Sequence, residues 1–549
     1  MIMRNRVIDI WRVSLFLGWL ILAALLLYPL RTIITASFKS NADGHFTLQH
    51  YADVFTKHIY YHDLINTFIG GFGGMIGSLI LGVSLAALVT RFKVRGPTVI
   101  SSLAVIALVT PPFIGAYAWI ILLGYDGVIR QALLSIGIPC PTIYGAGGVI
   151  FVFSLKFFPY VFLIVSAALR NVNSSLEEAA ELLGMPPGQR FWKVTLRLIA
   201  PAVSASGLLT FILSVADFGT PRFIGHDFQT LSTQAYILFS SETGENPGMA
   251  STISLVLLAI SLVLVLGQRW FVRHDLSQGS KSRPRAPREM SLGTSIWVHG
   301  VCYVIAVVGV LPMITVFVES FRKKNGPVFM PGFSLDSYRQ VLGEVPVAIE
   351  NSLLYAFVAV VGIVIVGTVL GYIIVRKRSL WSSGLDAALT IPYIVPGIVM
   401  GIAYAASFNT GAIAITGTAT IIILQLFIRR LPYAMRAMIA ALQQVSPSIE
   451  DAAVSLGYSP LKVLLKVTVP LIGPGILAGA IMSFITAINE LSATLVLYVG
   501  NTVTMPVQIF ELVDQGEYGT ASALSSILLL VTTILVYIAF RVGGGRQMM

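Results

Sequence analysis

The stretch Ser175-Leu-Glu-Glu-Ala-Ala-Glu-Leu-Leu-Gly184 recurs as Ser448-Ile-Glu-Asp-Ala-Ala-Val-Ser-Leu-Gly457, at a constant offset of 273 residues. When residues 167–184 are laid over residues 440–457 without gaps, ten of eighteen positions are identical. Both copies are polar, although they lie in a chain that is otherwise largely apolar. A duplicated polar loop between apolar stretches predicts two equivalent places at which a soluble partner is held.

The composition is that of a protein dissolved in a lipid bilayer. Of 549 residues, 56% are hydrophobic and 11% are charged, and the mean hydropathy is +0.83, values that soluble domains of this size do not reach. Two cysteines exclude a disulfide framework or a cysteine metal cluster. The formal charge of +11 does not indicate nucleic acid, because the basic residues fall in short loops between apolar runs.

Apolar runs of about 20 residues, which suffice to cross a membrane as a helix, occur six times in each half of the chain. They lie near residues 13–36, 64–90, 98–123, 144–168, 202–225 and 249–271, and near 295–318, 352–375, 382–407, 417–441, 474–499 and 519–541. We therefore predict an all-α polytopic membrane protein of about twelve transmembrane helices, arranged as two parallel six-helix repeats.

The predicted domains follow this duplication. Residues 1–272 form the first repeat, with a cytoplasmic loop at 170–200, and residues 294–549 form the second, with a cytoplasmic loop at 443–473. Residues 273–293 are rich in Ser, Pro and Arg, which is typical of a flexible cytoplasmic linker.

The orientation follows from the basic residues. If the N-terminus is cytoplasmic, 24 Lys and Arg lie inside and nine lie outside, which agrees with the positive-inside rule. Both termini and both polar loops are then cytoplasmic. Six spans in each half give the two repeats the same orientation, unlike an inverted repeat.

Each polar loop carries the signals of a short helix, a sharp turn and a second helix. In the first copy, Ser175 and Glu178 form the Ser-x-x-Glu pattern of a capping box. Gly184 suits the left-handed conformation that ends a helix, and Pro187 suits the first turn of the next one. The second copy repeats the pattern with Ser448, Asp451, Gly457 and Pro460.

The motif Glu/Asp-Ala-Ala, three residues, Gly resembles the EAA loop of bacterial ABC importer permeases, in which the loop docks on an ATPase subunit. The resemblance assigns ATPase coupling to Glu177, Glu178, Ala179, Ala180 and Gly184, and to Glu450, Asp451, Ala452, Ala453 and Gly457. An ordinary amphipathic interfacial helix is the alternative interpretation. The first copy has Arg197 where the second has the family's Pro470, which predicts that the two chains leave their loops at different angles.

Within that family, the chain most resembles the fused two-repeat permeases of the ferric-iron type, whose relatives carry 2-aminoethylphosphonate, thiamine or polyamines. The resemblance implies a bacterial inner-membrane permease that works by alternating access with two copies of an ABC ATPase subunit and a periplasmic binding protein. This chain has no Gly-x-x-x-x-Gly-Lys-Ser/Thr loop and no catalytic cluster. We therefore expect a transport subunit, not an enzyme, with no cofactor of its own and ATP on its partners. A twelve-span secondary transporter is the rival hypothesis, because it too has parallel halves.

Two further groups of residues raise functional hypotheses. Asp217 and Glu490 stand at offset 273 inside the fifth span of each repeat, where charge is costly and usually functional. Either they line the translocation path as a facing pair, which mildly favours cationic cargo, or they are helix ends that reach water, each carboxylate being satisfied by a neighbour. Four histidines crowd the first outer loop, at His45, His50, His58 and His62. A metal relay is one interpretation of this cluster, and a solvated loop that touches a partner is the other.

Overall fold

The computed structural model describes residues 10–40, 43–240, 246–275, 287–325, 328–410 and 413–542. Almost all regular structure is helical, as predicted. The α-helices of the first half are Ile10–Leu22, Tyr28–Ser37, Gln49–Thr56, His58–Arg91, Pro97–Val109, Pro112–Leu123, Val128–Ser135, Ala146–Asn171, Ser174–Leu182, Pro187–Arg190, Leu196–Leu198, Ala200–Ala216, Gly219–Ile224, Leu231–Ser240 and Pro247–Asp275. Those of the second half are Leu292–Glu319, Asp336–Glu344, Pro346–Arg376, Leu380–Ala388, Ile391–Ile394, Gly397–Ser407, Ala419–Gln443, Pro447–Ser455, Pro460–Val463, Val469–Leu471, Gly473–Ile488, Thr494–Leu497, Met505–Asp514 and Tyr518–Val542.

Short irregular helices and one hairpin complete the described elements. The π-helical turns are Ala23–Leu27, Phe191–Thr195 and Leu464–Thr468, and Gly500–Thr502 is a 3₁₀ turn. Strands Arg322–Asn325 and Val328–Phe333 pair antiparallel. Most of the predicted linker, residues 276–286, lies outside the described residues.

Eight helices in the described residues are long and apolar enough to cross a membrane, and up to eleven if each of three bent helix pairs counts as one span. The prediction of about twelve spans exceeds eleven because one predicted span, the tenth, is not among the candidate spans. Helix Ala419–Gln443, at the predicted tenth span, is 25 residues long, but Arg429, Arg430 and Arg436 interrupt its apolar sequence and it does not qualify.

The chain forms two compact units, and the first helix of each half and residues 245–255 lie in the unit that is built mainly on the other repeat. One unit comprises residues 1–47, 245–255 and 336–549, and the other comprises 48–244 and 256–335. The first span of the chain thus belongs to the unit built on the second repeat, where Tyr404 Oη donates to Leu25 O at 2.6 Å. Helix Leu292–Glu319 belongs to the unit built on the first repeat, where Tyr303 Oη donates to Arg95 O at 3.1 Å.

Small residues let the two central helices of the first-repeat unit approach closely. Helix His58–Arg91 packs along Ala146–Asn171. A Cβ added at Gly74 would come within 2.7 Å of Phe153 Cβ, and one added at Gly82 would come within 2.8 Å of the Phe158 carbonyl oxygen. Such contact between backbones is the usual basis of helix association in membranes. Helix His58–Arg91 ends at Arg91, a residue of the candidate site.

Candidate functional site: the two polar loops

The two polar loops have the same backbone course. Helix Ser174–Leu182 ends at Gly184, whose φ is +80°, and helix Pro447–Ser455 ends at Gly457, whose φ is +86°. These left-handed turns were predicted from the glycines, and they are confirmed. A Cβ at either glycine would have no heavy atom within 4 Å, so glycine is favoured here by backbone conformation and not by crowding.

The predicted capping boxes are wrong, because both helices begin earlier than the sequence pattern suggested. In the first loop Asn173 is the N-cap, and its side chain accepts a hydrogen bond from Ser175 N at 3.2 Å. In the second loop Ser446 is the N-cap and makes no side-chain cap bond. Proline, which is favoured at the first helical position, follows it directly as Pro447.

The predicted difference in exit angle is also wrong. The helix that leaves the first loop bends by 72° before Ala200–Ala216, and its counterpart bends by 76° before Gly473–Ile488. Both copies pass through a π-helical turn at equivalent positions. Because the copy with Arg197 bends as the copy with Pro470 does, the bend does not depend on the proline.

Glu177 is buried within its own unit and does not lie on the exposed face of the loop helix. Arg91, the last residue of helix His58–Arg91, donates to both carboxylate oxygens of Glu177: Nη1 donates to Oε2 at 2.7 Å, and Nη2 donates to Oε1. Thr195 Oγ1 donates to Glu177 Oε1 at 2.6 Å. A bidentate pair of this kind fixes geometry as well as charge, so Glu177 ties the loop to the end of the second span.

The second loop is anchored in the same way by Glu450. Arg376, the last residue of helix Pro346–Arg376, donates from Nε to Glu450 Oε1 at 3.0 Å, and Tyr372 Oη donates to Oε2 at 3.1 Å. Arg376 also donates to the carbonyl of Val445 at 2.8 Å. Here Tyr372, which lies in helix Pro346–Arg376, supplies the hydroxyl that Thr195 supplies in the first copy. The match of Arg91 with Arg376 was visible in the sequence, but their pairing with the loops was not.

The remaining coupling residues divide between the interior and the surface. Ala180 and Ala453 are buried against their own units, whereas Glu178, Ala179, Asp451 and Ala452 are exposed. The exposed four therefore provide the surface predicted to meet an ATPase.

Exposed leucines enlarge this surface, and the sequence analysis missed them. Leu182 and Leu183 are 89% and 86% exposed, and Leu456 is 80% exposed, next to the turn glycine of each loop. Apolar side chains grouped on a polar segment mark an interaction site. The signal in the sequence was an apolar residue directly before each turn glycine.

Asp217 and Glu490 each form an ion pair within their own unit. Lys156 Nζ donates to Asp217, and both Arg429 and Arg430 donate to Glu490. Lys156 and Arg429 also stand 273 residues apart, so the ion pair is duplicated together with the loop. Each carboxylate is satisfied by a neighbour, as the second hypothesis stated, but the side chains are buried and do not reach water as that hypothesis expected. The preference for cationic cargo, which assumed unpaired carboxylates, no longer follows.

A second duplicated contact fastens the segment after the fifth span to the second span. Asn66 Nδ2 donates to Gln229 O at 2.9 Å, and Asn351 Nδ2 donates to Val503 O at 2.9 Å. One residue later in each copy, a hydroxyl accepts from a backbone amide at 2.9 Å in the first repeat and 2.6 Å in the second. The sequence match between Asn66-Thr and Asn351-Ser therefore corresponds to one shared structural role.

The outer-loop histidines do not assemble a metal site. His58 and His62 stack with ring centroids 5.5 Å apart, and His62 Nδ1 lies 3.1 Å from Asn66 Nδ2. Within the described ranges, no group of three or more His, Cys, Asp or Glu side chains could hold a metal ion.

Spanning helices, two matching polar loops and a duplicated arginine anchor define a two-repeat membrane transport subunit. The chain belongs to the family of binding-protein-dependent transport system inner membrane components, whose sequence profile matches residues 78–274 and 363–543. Each match contains one polar loop with its anchoring glutamate. The chain is thus a permease subunit of an ABC importer and not a secondary transporter.

Relatives that align with both repeats are named for ferric transport. The ferric transport system permease protein FbpB of Actinobacillus pleuropneumoniae is 30% identical over 494 residues, which cover 87% of this chain and 71% of the relative. An Fe(3+)-transport system permease protein of Haemophilus influenzae is 26% identical, with 84% of this chain and 86% of the relative covered. A proposed 2-aminoethylphosphonate transport system permease protein, PhnV of Salmonella typhimurium, is 26% identical over 41% of this chain.

Proposed function

We propose that this chain imports ferric iron across the bacterial inner membrane, driven by two copies of a separate ABC ATPase subunit and supplied by a periplasmic binding protein. The observation that carries the choice of iron is that relatives named for ferric transport align with both repeats. The chain itself binds no cofactor in this proposal, and ATP is bound and hydrolysed on the partner subunits.

The contacts of each loop supply a route for mechanical coupling. An ATPase seated on the exposed face, at Glu178 or Leu183 for example, would push on a helix whose inner face is fixed by Glu177 to Arg91. Because Arg91 ends helix His58–Arg91, the push reaches the second span directly. It reaches Ala200–Ala216 through the π-helical turn. Equivalent contacts of Glu450 serve the second repeat.

This proposal requires both loops and both termini to be cytoplasmic, as the basic residues indicated. The test is cysteine labelling from one side of the membrane, in a background with Cys140→Ser and Cys302→Ala. Asp451→Cys should react only from the cytoplasmic side, and Gly44→Cys only from outside. Asp451 is preferred to Glu450 as a labelling position because Glu450 is buried. Labelling of Asp451→Cys from outside would overturn the orientation.

The choice of cargo is tested in proteoliposomes that contain the permease and its ATPase subunit, with the periplasmic binding protein added. We expect uptake of radioactive ferric iron that requires ATP and the binding protein. The same vesicles should not take up 2-aminoethylphosphonate. Uptake of the phosphonate without iron would replace the cargo but keep the importer. Absence of any associated ATPase would overturn the proposal as a whole.

Import of 2-aminoethylphosphonate is the second candidate, since a relative proposed to carry it aligns with part of this chain. That relative matches 41% of the chain, whereas the ferric relative matches 87%. Thiamine and polyamines are supported only by the general resemblance to the family. We therefore rank iron first.

A further inference from the structure

The first loop carries an ion-pair network whose charged residues the second loop lacks. Glu181 lies on the exposed side of helix Ser174–Leu182, in its last turn, and Arg190 is the last residue of the short helix that follows. Their counterparts at offset 273 are Val454 and Val463. The duplication therefore preserved the anchoring glutamates but not this second set of charges.

Glu181 connects the loop to the segment between the repeats. Its Oε1 accepts from Arg288 Nη2 at 2.6 Å, and its Oε2 lies 2.6 Å from Arg190 Nη1. Arg190 is buried, whereas Glu181 and Arg288 are about half-exposed. Glu181 thus joins a fixed residue of the loop to a residue of the predicted linker.

The backbone of Arg288 is held as well as its side chain. Its amide donates to Arg91 O at 2.9 Å, and its carbonyl accepts from Lys93 N at 2.9 Å. Arg91 is the residue whose guanidinium binds Glu177. The end of the linker, the end of the second span and the first loop are therefore one connected cluster.

We propose that the end of the inter-repeat linker fastens the first loop, so that the two loops of this permease are held unequally. Arg288 and Glu181 act as positioning residues: they restrain the helix that meets the ATPase without themselves being required for docking. The functional consequence rests on the proposed coupling to an ATPase. Two identical ATPase subunits would then meet loops of unequal stiffness. The first loop is held by Glu177 and Glu181, whereas the second has Glu450 in place of Glu177 but Val454 in place of Glu181.

Hydrogen exchange on the intact permease tests the restraint independently of any ATPase. In Arg288→Ala, amides of residues 174–190 should exchange about two- to fivefold faster, the factor expected for a partly exposed ion pair, while residues 447–463 stay unchanged. Glu289→Ala is the matched control, because Glu289 is the neighbour of Arg288 in sequence and pairs with exposed Lys93. It should alter neither loop. Unchanged exchange in the first loop of Arg288→Ala, or an equal rise in both loops, would overturn the proposal.

A functional measurement separates positioning from general damage. With the ATPase reconstituted, Arg288→Ala should lower transport per ATP hydrolysed by about two- to fivefold, while the ATPase still associates. Glu181→Gln should lower it at least as much, because Glu181 also contacts Arg190. The double variant should be no worse than Glu181→Gln alone, because the contact that Arg288→Ala removes is already lost in that variant. If the wild-type permease couples transport to ATP hydrolysis and both single variants couple it equally well, the inference is contradicted and the proposed function stands. A wild-type permease that recruits no ATPase would contradict the proposed function alone, since the exchange result is measured without it.

Discussion

Replacing Glu177 by glutamine tests whether the first loop is anchored from inside. The Glu177 side chain is 3% exposed and faces Arg91, whose side chain is 17% exposed. Removing one partner of a buried ion pair costs about 3–5 kcal/mol. Glutamine keeps the hydrogen bond from Thr195, so we take the lower end, about 3 kcal/mol. At about 2 °C per kcal/mol for a large unit, the melting temperature should fall by about 6 °C.

The matched control is Glu178→Gln, one residue further along the same helix but on its exposed side. The control should leave the melting temperature within about 1 °C and weaken ATPase binding about two- to fivefold, as expected for a surface charge. The assays are thermal unfolding in detergent and binding of the purified ATPase. If both variants melted alike, or if Glu177→Gln melted as the wild type does, the internal anchor would be refuted.

Three further changes follow from the same contacts. Gly184→Val should lower the free energy of unfolding by about 1–2 kcal/mol, because the turn requires a left-handed backbone, and it should reduce transport and ATP turnover while insertion is retained. Gly184→Asn should be tolerated. Normal transport in the valine variant would contradict the role of the turn. Asp217→Asn leaves buried Lys156 without its carboxylate and should reduce the stability of the fold by about 3–5 kcal/mol. The yield of folded protein, measured by size-exclusion chromatography, should fall in this variant and be restored when Lys156→Met is added. Leu183→Ser should weaken ATPase association about tenfold or more with unchanged melting temperature, and unaltered affinity would remove this leucine from the docking surface.

Local backbone signals in the loops were predictable wherever one residue type determines the conformation. Gly184 and Gly457 were identified correctly because a left-handed φ strongly favours glycine. The first residue of each loop helix was predicted wrongly, because each loop has neighbouring serines that could serve as the N-cap. Asn173 as a cap and Pro447 at the first helical position instead set the observed starts. The exit angle was wrong because a π-helical turn, which the sequence does not announce, gives both copies nearly the same bend.

The sequence by itself determined the membrane-bound helical class, the duplication and the place of both loops. These depend on composition and on a repeat of 273 residues, and neither requires knowing which helices touch. It also placed Asp217 and Glu490 at equivalent positions of the two repeats.

The tertiary structure alone decided which side chains meet. In the structure Glu177 pairs with Arg91, Glu450 with Arg376 and Asp217 with Lys156. The first helix of each repeat belongs to the compact unit built on the other repeat. The physical reason is that ion pairs and helix contacts join residues 60 or more positions apart in sequence. Their formation depends on how apolar helix faces pack and on which charges that packing removes from water. The periodicity of a single helix carries no information on either.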